Sequence, residues 1–331
     1  MTDEIMVSIC CLTYNHEKYI RKALDGFINQ ITNFKYEILI HDDCSTDNTV
    51  KIIREYEKKY PQLIKPIYQT QNQFSKGIRV SYTYQFPRAK GKYIALCEGD
   101  DYWTDCDKLQ SQFDAMEKHS NCTFCTHIVQ YIDESGDFIN TIQPEKTICL
   151  ELGEGVISNK IFFDKIFFKI IIPFQTSSFF FKKEDIMEYS KTFLKTIADI
   201  KDFGDVPLSW YMLLKGDCYF INKTMSNYRK NSVSSISKKL FDENYIVKHY
   251  NDIILFFKKF NCFSNNTYDN QINKLIVKYR FFILLASHEY RISLSREYRD
   301  SFKTLSLKTK IKIYVYAYVP FVRKIVNKIK K

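Results

Sequence analysis

Three carboxylates fall within four residues at Glu98-Gly99-Asp100-Asp101, directly after the apolar run 93–97. Acids packed so closely repel one another unless a cation lies between them. A divalent ion, Mg²⁺ or Mn²⁺, suits such a set because it takes carboxylate oxygen and leaves positions for water and phosphate. The competing reading is a solvated acidic turn with Gly99 as its turn residue. A second acidic group, His41-Asp42-Asp43-Cys44-Ser45-Thr46-Asp47, follows the apolar run 36–40. A polar break, Thr13-Tyr14-Asn15-His16-Glu17, follows the run 6–13.

The elements that must carry these residues are strands. The apolar runs 6–13, 36–40, 63–68 and 93–97 suit strands covered on both faces. Between them, Ile20, Leu24, Phe27, Ile28 and Ile31 recur at helical spacing, as do Val50, Ile53 and Tyr56 or Tyr60. Ser45 or Thr46 can cap the second of these helices, and 81–89 reads as a third. Strands alternating with helices predict βαβ units and a mostly parallel sheet flanked by helices, whose carboxyl edge is where ligands bind. Further on, the pattern predicts helices over 108–119, 159–168 and 205–214, and strands over 123–132, 138–142 and 218–221. Residues 174–181 read as a loop entering a strand, and 227–237 as a loop. Beyond 241 the pattern is helical. The expected division is one α/β domain over 1–237, with halves 1–103 and 104–237, and a helical C-terminal region over 238–331.

Ten cysteines are scattered along the chain, with one C-x-x-C spacing at Cys122 and Cys125. A zinc site would need a second pair and nearby histidines. The opening Met1-Thr2-Asp3-Glu4 is no basic leader, so reduced thiols and a cytoplasmic protein are expected. The formal charge is +11. That sign fits nucleic acid, anionic lipid or phosphorylated small molecules. Nucleic acid is disfavoured because the basic residues avoid the acidic loops and gather in the tail, where 303–331 holds nine Lys/Arg and no acid. No apolar run approaches the ~20 residues of a spanning helix.

Taken together, Thr13-Tyr14-Asn15, Asp42-Asp43 with Ser45 and Asp47, and Ala89-Lys90-Gly91-Lys92-Tyr93 leading into Glu98-Gly99-Asp100-Asp101 resemble family 2 glycosyltransferases of the GT-A (Rossmann-like) fold. Asp100-Asp101-Tyr102-Trp103 followed by Lys108-Leu109-Gln110 resembles members that build bacterial surface glycans. The resemblance spans about 5–235. It implies inverting, metal-dependent sugar transfer from a nucleotide-sugar donor, UDP first, to a hydroxyl of a glycan or lipid-linked saccharide. Asp100 would hold the metal, Mn²⁺ or Mg²⁺. Glu98 stands where the family usually has Asp and would reach the ribose or a metal-bound water; Asp101 would touch the donor sugar or orient the loop. Asp43 resembles the acid that bonds the base, with Thr13, Tyr14 and Asn15 lining the same pocket. Asp205 is the expected catalytic base, with Asp202 as runner-up, although Gly204 stands where the family often has Glu. Asp205 could instead merely cap its helix. Thr176, Ser177, Ser178 and Trp103 are expected on the acceptor side, and Arg229 near the diphosphate. The family often has His two residues after that Arg; Asn231 stands there. His16 and His41 read as strand-end hydrogen bonders.

Two rivals are a catalytically silent glycan- or membrane-binding adaptor and a sugar-nucleotide pyrophosphorylase. The first has no reason to keep Asp43, Asp100 and Asp205; the second needs a Gly-rich loop where Thr13-Tyr14-Asn15-His16 stands. Finally, a helix starting at Pro320 would place Phe321, Val322, Ile325, Val326 and Ile329 on one arc. Arg323, Lys324, Asn327, Lys328, Lys330 and Lys331 would oppose them. That pattern, with the tyrosines of 313–319 before it, suits peripheral contact with an anionic membrane at its inner face. A terminal helix packed on the domain is the alternative.

Overall fold

The structure is a computed structural model and describes residues 4–166, 174–200, 204–230 and 242–319. The chain divides into two compact units, 1–235 and 236–331.

The first unit is built on one sheet. Its strands are β1 (Ile5–Thr13), β2 (Lys35–Asp42), β3 (Ile64–Tyr68), β4 (Tyr93–Leu96), β5 (Tyr102–Trp103), β6 (Cys122–Ile132), β7 (Phe138–Gln143), β8 (Gly155–Ile157), β9 (Phe180–Lys182) and β10 (Asp217–Arg229). The order is β3-β2-β1-β4-β9-β6-β10-β5, with β7 on β6 and β8 on β10. The first four strands run parallel, as do β6 and β10. The antiparallel pairings all involve the short strands β5, β7, β8 and β9. The sheet is thus mostly parallel and lies among helices, the GT-A arrangement, and β9 joins its two halves.

The apolar runs become strands because both their faces are covered: Val7, Ile9, Cys11, Ile38, Ile40, Ile94 and Ala95 are fully buried. The helix Ile20–Ile28 buries Ile20, Ala23, Leu24 and Phe27 against this sheet. Ile31 lies past its end and is largely exposed. Residues 81–89 do not form a regular helix. Ser81–Gln85 makes a π turn and Phe86–Arg88 a 3-10 turn, where Pro87 has no N–H to donate. The buried Gln85 amide there donates to the carbonyls of Cys11 at 2.7 Å and Leu39 at 3.1 Å, bridging β1 and β2.

Several short elements were not visible as periodic patterns: β5, β8, and the helices Lys146–Leu152 and Lys183–Lys191. The expected loop from 227 is corrected. β10 continues to Arg229, pairing Asn227, Tyr228 and Arg229 with Gln130, Tyr131 and Ile132. Its polar side chains have partners inside the fold: Ser226 Oγ lies 3.0 Å from Ser177 Oγ, and Asn227 donates to the Tyr102 hydroxyl at 2.7 Å.

The second unit is helical, with Glu243–Phe263, Asp269–Ala286 and Leu307–Tyr318 as its longer helices. Asp242 caps the first by accepting from the amides of Asn244 and Tyr245. Phe256, Phe257 and Phe260 and, on the next helix, Ile272 and Leu275 form its buried face. Among the described residues no helix is long and apolar enough to cross a membrane. The expected helix from Pro320, together with Asp202 and Asn231, lies outside the described residues.

Candidate active site

Parallel register brings the three polar loops to one edge of the sheet. Thr13 pairs with Asp42 at the ends of β1 and β2, and Cys10 pairs with Leu96 at the end of β4. The pairing runs on past the strands: the Asp43 amide donates to the Thr13 carbonyl at 2.9 Å and the Gly99 amide to the Leu12 carbonyl at 2.8 Å. A side chain at Gly99 would press on its neighbours. A Cβ there would lie 2.9 Å from both Thr13 Oγ1 and Ile20 Cδ1.

The loop after β2 is tied to the loop after β1. Asn15, at φ 55°, uses its side-chain oxygen to accept from the Thr46 amide at 2.8 Å, and its own amide donates to Ser45 Oγ. Asx residues tolerate this left-handed backbone better than most. Neither Ser45 nor Thr46 caps the following helix: the Ser45 amide and hydroxyl both donate to Asp42, and the Thr46 hydroxyl donates to Asn15 Oδ1. Asp47 instead accepts from the Thr49 amide. Tyr14 is left on the surface, 37% exposed.

Asp43 is buried, and its two oxygens accept from the amides of Gln73 at 2.7 Å and Phe74 at 2.9 Å. Each oxygen has a second lone pair that these amides do not use. The segment Gln73–Phe74, with Phe74 exposed, therefore belongs to this site. Nothing periodic or chemical in its sequence marked it. His41 is fully buried, its ring centroid 5.1 Å from that of Tyr84 and its Nε2 3.6 Å from Asp43 Oδ1. Burial holds its pKa below the usual value, so the ring that faces Asp43 and Tyr84 is neutral.

The three acids after β4 have different partners. Asp101 is 2% exposed and accepts from the Arg229 amide at 2.8 Å. Burial first, then Asp100 and Glu98, push its carboxyl well above the ordinary range. The Asp100 carboxylate accepts no hydrogen bond from a described residue; His16 Nε2 lies 3.9 Å away, its ring held below its usual pKa by burial. Glu98 is half-buried, and its carboxyl is pushed up to about 8 by burial and then by Asp100, with Asp205 contributing. Asp205, at the start of the helix Asp205–Lys215, is therefore felt by the β4 acids although more than a hundred residues separate them in sequence. Burial raises its pKa as well, while the Val206 amide donates to it at 2.9 Å.

The chemistry of this set, all oxygen and short of donors at Asp100, suits a divalent cation, although the described residues whose ligand atoms already converge within 4.8 Å are Asp105, Cys106 and Asp107. Asp100 offers carboxylate oxygens that accept no hydrogen bond from a described residue, while Glu98 and Asp205 also feel backbone amides. The mutual repulsion that raises Glu98 and Asp101 is what an ion would relieve.

Other expected site residues lie elsewhere. Trp103 is 3% exposed: its ring packs on Phe27 at 4.8 Å, its Nε1 donates to the Ser177 carbonyl, and Lys108 Nζ sits 3.9 Å from its centroid. Ser177 and Ser178 are fully buried; Ser178 Oγ bonds Thr126 Oγ1 and the Gln175 carbonyl. These three residues are corrected from acceptor surface to core supports beneath the acidic loop. Thr176 stays half-buried. Arg229 is also internal. Its guanidinium donates to the carbonyls of Asp100, Asp133 and Glu134 and lies 4.3 Å over the Tyr19 ring, so it braces the acidic loop.

With this geometry in place, comparison with known proteins decides the family. The model of glycosyl transferase family 2 matches residues 8–188. The chain belongs to that family. Among curated relatives, an uncharacterized protein of Mycobacterium tuberculosis is 47% identical over 130 residues, 39% of this chain and 37% of its own length. The Bacillus subtilis protein TuaG, named a putative teichuronic acid biosynthesis glycosyltransferase, is 34% identical over 119 residues, 36% of this chain and 44% of its own. The chain thus spans less than half the length of these relatives. Staphylococcus aureus TarS 1–349 in complex with UDP-GlcNAc shares the fold at TM-score 0.57 and 16% identity, covering 96% of this chain and 81% of that one. The Pyrobaculum calidifontis mannosyltransferase PcManGT, in complex with GDP-Man and Mn²⁺, does so at TM-score 0.53 and 13% identity, covering 97% and 83%.

Proposed function

We propose that this family 2 chain is an inverting, metal-dependent glycosyltransferase of surface-polysaccharide synthesis. It moves a sugar from a nucleotide-sugar donor, a UDP-sugar first, to a hydroxyl of a glycan or lipid-linked saccharide at the inner face of the cell membrane. One observation carries the reading. At a single sheet edge, Asp43 and Asp101 have their carboxylates held by backbone amides, while Asp100 accepts no hydrogen bond from a described residue and, with Asp205, raises the half-buried Glu98. A silent adaptor gains nothing from that costly set of half-buried acids.

In this reading Asp43 bonds the nucleotide base with its remaining lone pairs, beside Thr13, Tyr14 and Asn15. Asp100 and Glu98 hold Mn²⁺ or Mg²⁺. Such an ion, when bound, offsets the negative charge that grows on the departing diphosphate as a Lewis acid. Asp101 and Arg229 hold the loop that carries these ligands. Asp205 takes the acceptor proton as the acceptor oxygen attacks the anomeric carbon. The bond to the diphosphate breaks on the opposite face, which inverts the anomeric configuration. A base with a raised pKa is closer to the operating pH and accepts that proton more readily. The two structural neighbours, in complex with UDP-GlcNAc and with GDP-Man, support a nucleoside diphosphate sugar; the bases differ, so UDP rests on TarS and on the family resemblance. The test is nucleotide release from a panel of nucleotide sugars with Mn²⁺, Mg²⁺ or EDTA. Release with metal, lost reversibly in EDTA, is expected; full activity in EDTA overturns the metal's place in the reaction.

A further inference from the structure

The helix Leu307–Tyr318 has two apolar faces. Ile313 and Ala317 form the buried one. Leu307, Ile311, Tyr314 and Tyr318 form the other and are 74%, 55%, 50% and 65% exposed. At ~100° per residue these four fall within an arc of about 60°. They are not splayed. Tyr314 and Tyr318 stack with centroids 6.5 Å apart, and Phe302 packs edge-on to Tyr314 at 5.4 Å. Single exposed apolar residues are ordinary, but an aligned stripe of four marks a contact surface.

The flanking charge says what kind of contact. Lys310 borders the stripe on one side, Lys308 and then Lys312 on the other, and 301–331 contains no Asp or Glu. Lys310 Nζ donates to the Lys303 carbonyl at 2.7 Å, which fixes its place beside the stripe. A second copy of the chain seated here would bring lysines against lysines with no acid on the helix to pair them. A surface that is anionic outside and apolar just beneath satisfies both features at once. We propose that this stripe is the surface by which the chain lies on an anionic lipid bilayer. Leu307 and Ile311 reach the acyl boundary, Tyr314 and Tyr318 sit at headgroup depth, and Lys308 and Lys310 meet headgroup phosphates. This places the contact on a helix that precedes Pro320. It rests on the peripheral-membrane part of the reading above.

The test uses full-length protein in flotation with phosphatidylglycerol-containing vesicles and with pure phosphatidylcholine vesicles. The variants are a triple Leu307→Ser, Ile311→Ser, Tyr314→Ser and a double Lys308→Glu, Lys310→Glu, each checked for folding by circular dichroism. Wild type is expected to float with the anionic vesicles, less so in high salt and far less with phosphatidylcholine. Each variant should partition at least about tenfold more weakly, with UDP release from UDP-GlcNAc unchanged from wild type. Folded variants that partition like wild type, or a wild type that does not float, overturn the proposal. So does a wild-type dimer in sedimentation velocity that the triple variant loses, which would reassign the stripe to a second copy. Release and flotation are separate readings: release without flotation sinks this surface alone, and flotation without release from any nucleotide sugar sinks the transferase reading alone.

Discussion

Asp100 and Asp101 are neighbours with opposite duties, and substitution should separate them. The Asp100 carboxylate has no described hydrogen-bond donor, so Asp100→Ala should leave the thermal midpoint nearly unchanged while abolishing turnover. Asp101→Ala leaves the buried Arg229 amide without its acceptor, which costs about 1–3 kcal/mol and should appear as a lowered midpoint. Equal midpoints for the two variants would contradict this division. Asp205→Asn keeps size and shape but cannot take the acceptor proton. Transfer should fall by about 10²–10⁴, with donor binding within a few-fold of wild type. An active Asp205→Asn beside an inactive Asp202→Asn would move the base to the earlier residue. The acids stood out in the sequence because Asp43, Glu98, Asp100 and Asp101 follow apolar runs. Ser177 and Ser178 misled for a physical reason: a serine whose hydroxyl is satisfied by another buried hydroxyl looks, in sequence, like one that faces a sugar. The amides of Gln73 and Phe74 left no signal, because a backbone donor carries no residue type.

At the scale of elements, the acidic loop stands on a buried polar layer. Lys108 opens the helix Lys108–Lys118, is fully buried, and donates to Gln112 Oε1 at 2.6 Å. Gln112 in turn donates to the Ser178 carbonyl at 2.9 Å. Burial pulls the Lys108 pKa from 10.5 down to about 7. The unfolded chain therefore binds a proton that the folded chain does not between about 7 and 10.5. Folding stability rises with pH across that window, and the penalty is fully present below it. One pKa unit is about 1.4 kcal/mol, so the effect amounts to a few kcal/mol. Lys108→Met should remove this rise relative to wild type in denaturant titrations at several pH values. Parallel pH profiles for the two proteins would mean that Lys108 stays charged in the fold. The long strands were legible as apolar runs, whereas β5 and β8, two and three residues long, fall below any periodicity. The end of β10 was hidden because its polar side chains find partners within the sheet, which composition cannot reveal.

At the scale of the molecule, net charge is concentrated: the last thirty or so residues are basic without an acid and supply most of the excess, while the sheet edge carries carboxylates. A net charge of +11 draws an anionic nucleotide sugar toward the chain, and the carboxylates proposed to hold its metal sit where the parallel strands end. The sequence alone pointed to this polarity and to the GT-A sheet, since strand-helix alternation and three loops at one edge are read from order and spacing. The accessible face of the C-terminal helices was not, because which side of a helix is covered depends on packing. The most direct test of the central claim is calorimetric titration of UDP-GlcNAc and other nucleotide sugars into wild type and Asp100→Ala, with Mn²⁺ and with EDTA. The account predicts that at least one nucleotide sugar binds wild type with Mn²⁺, that EDTA abolishes this reversibly, and that folded Asp100→Ala shows no metal-dependent binding. Equal affinity in EDTA or in Asp100→Ala, or no binding of any nucleotide sugar, would contradict it.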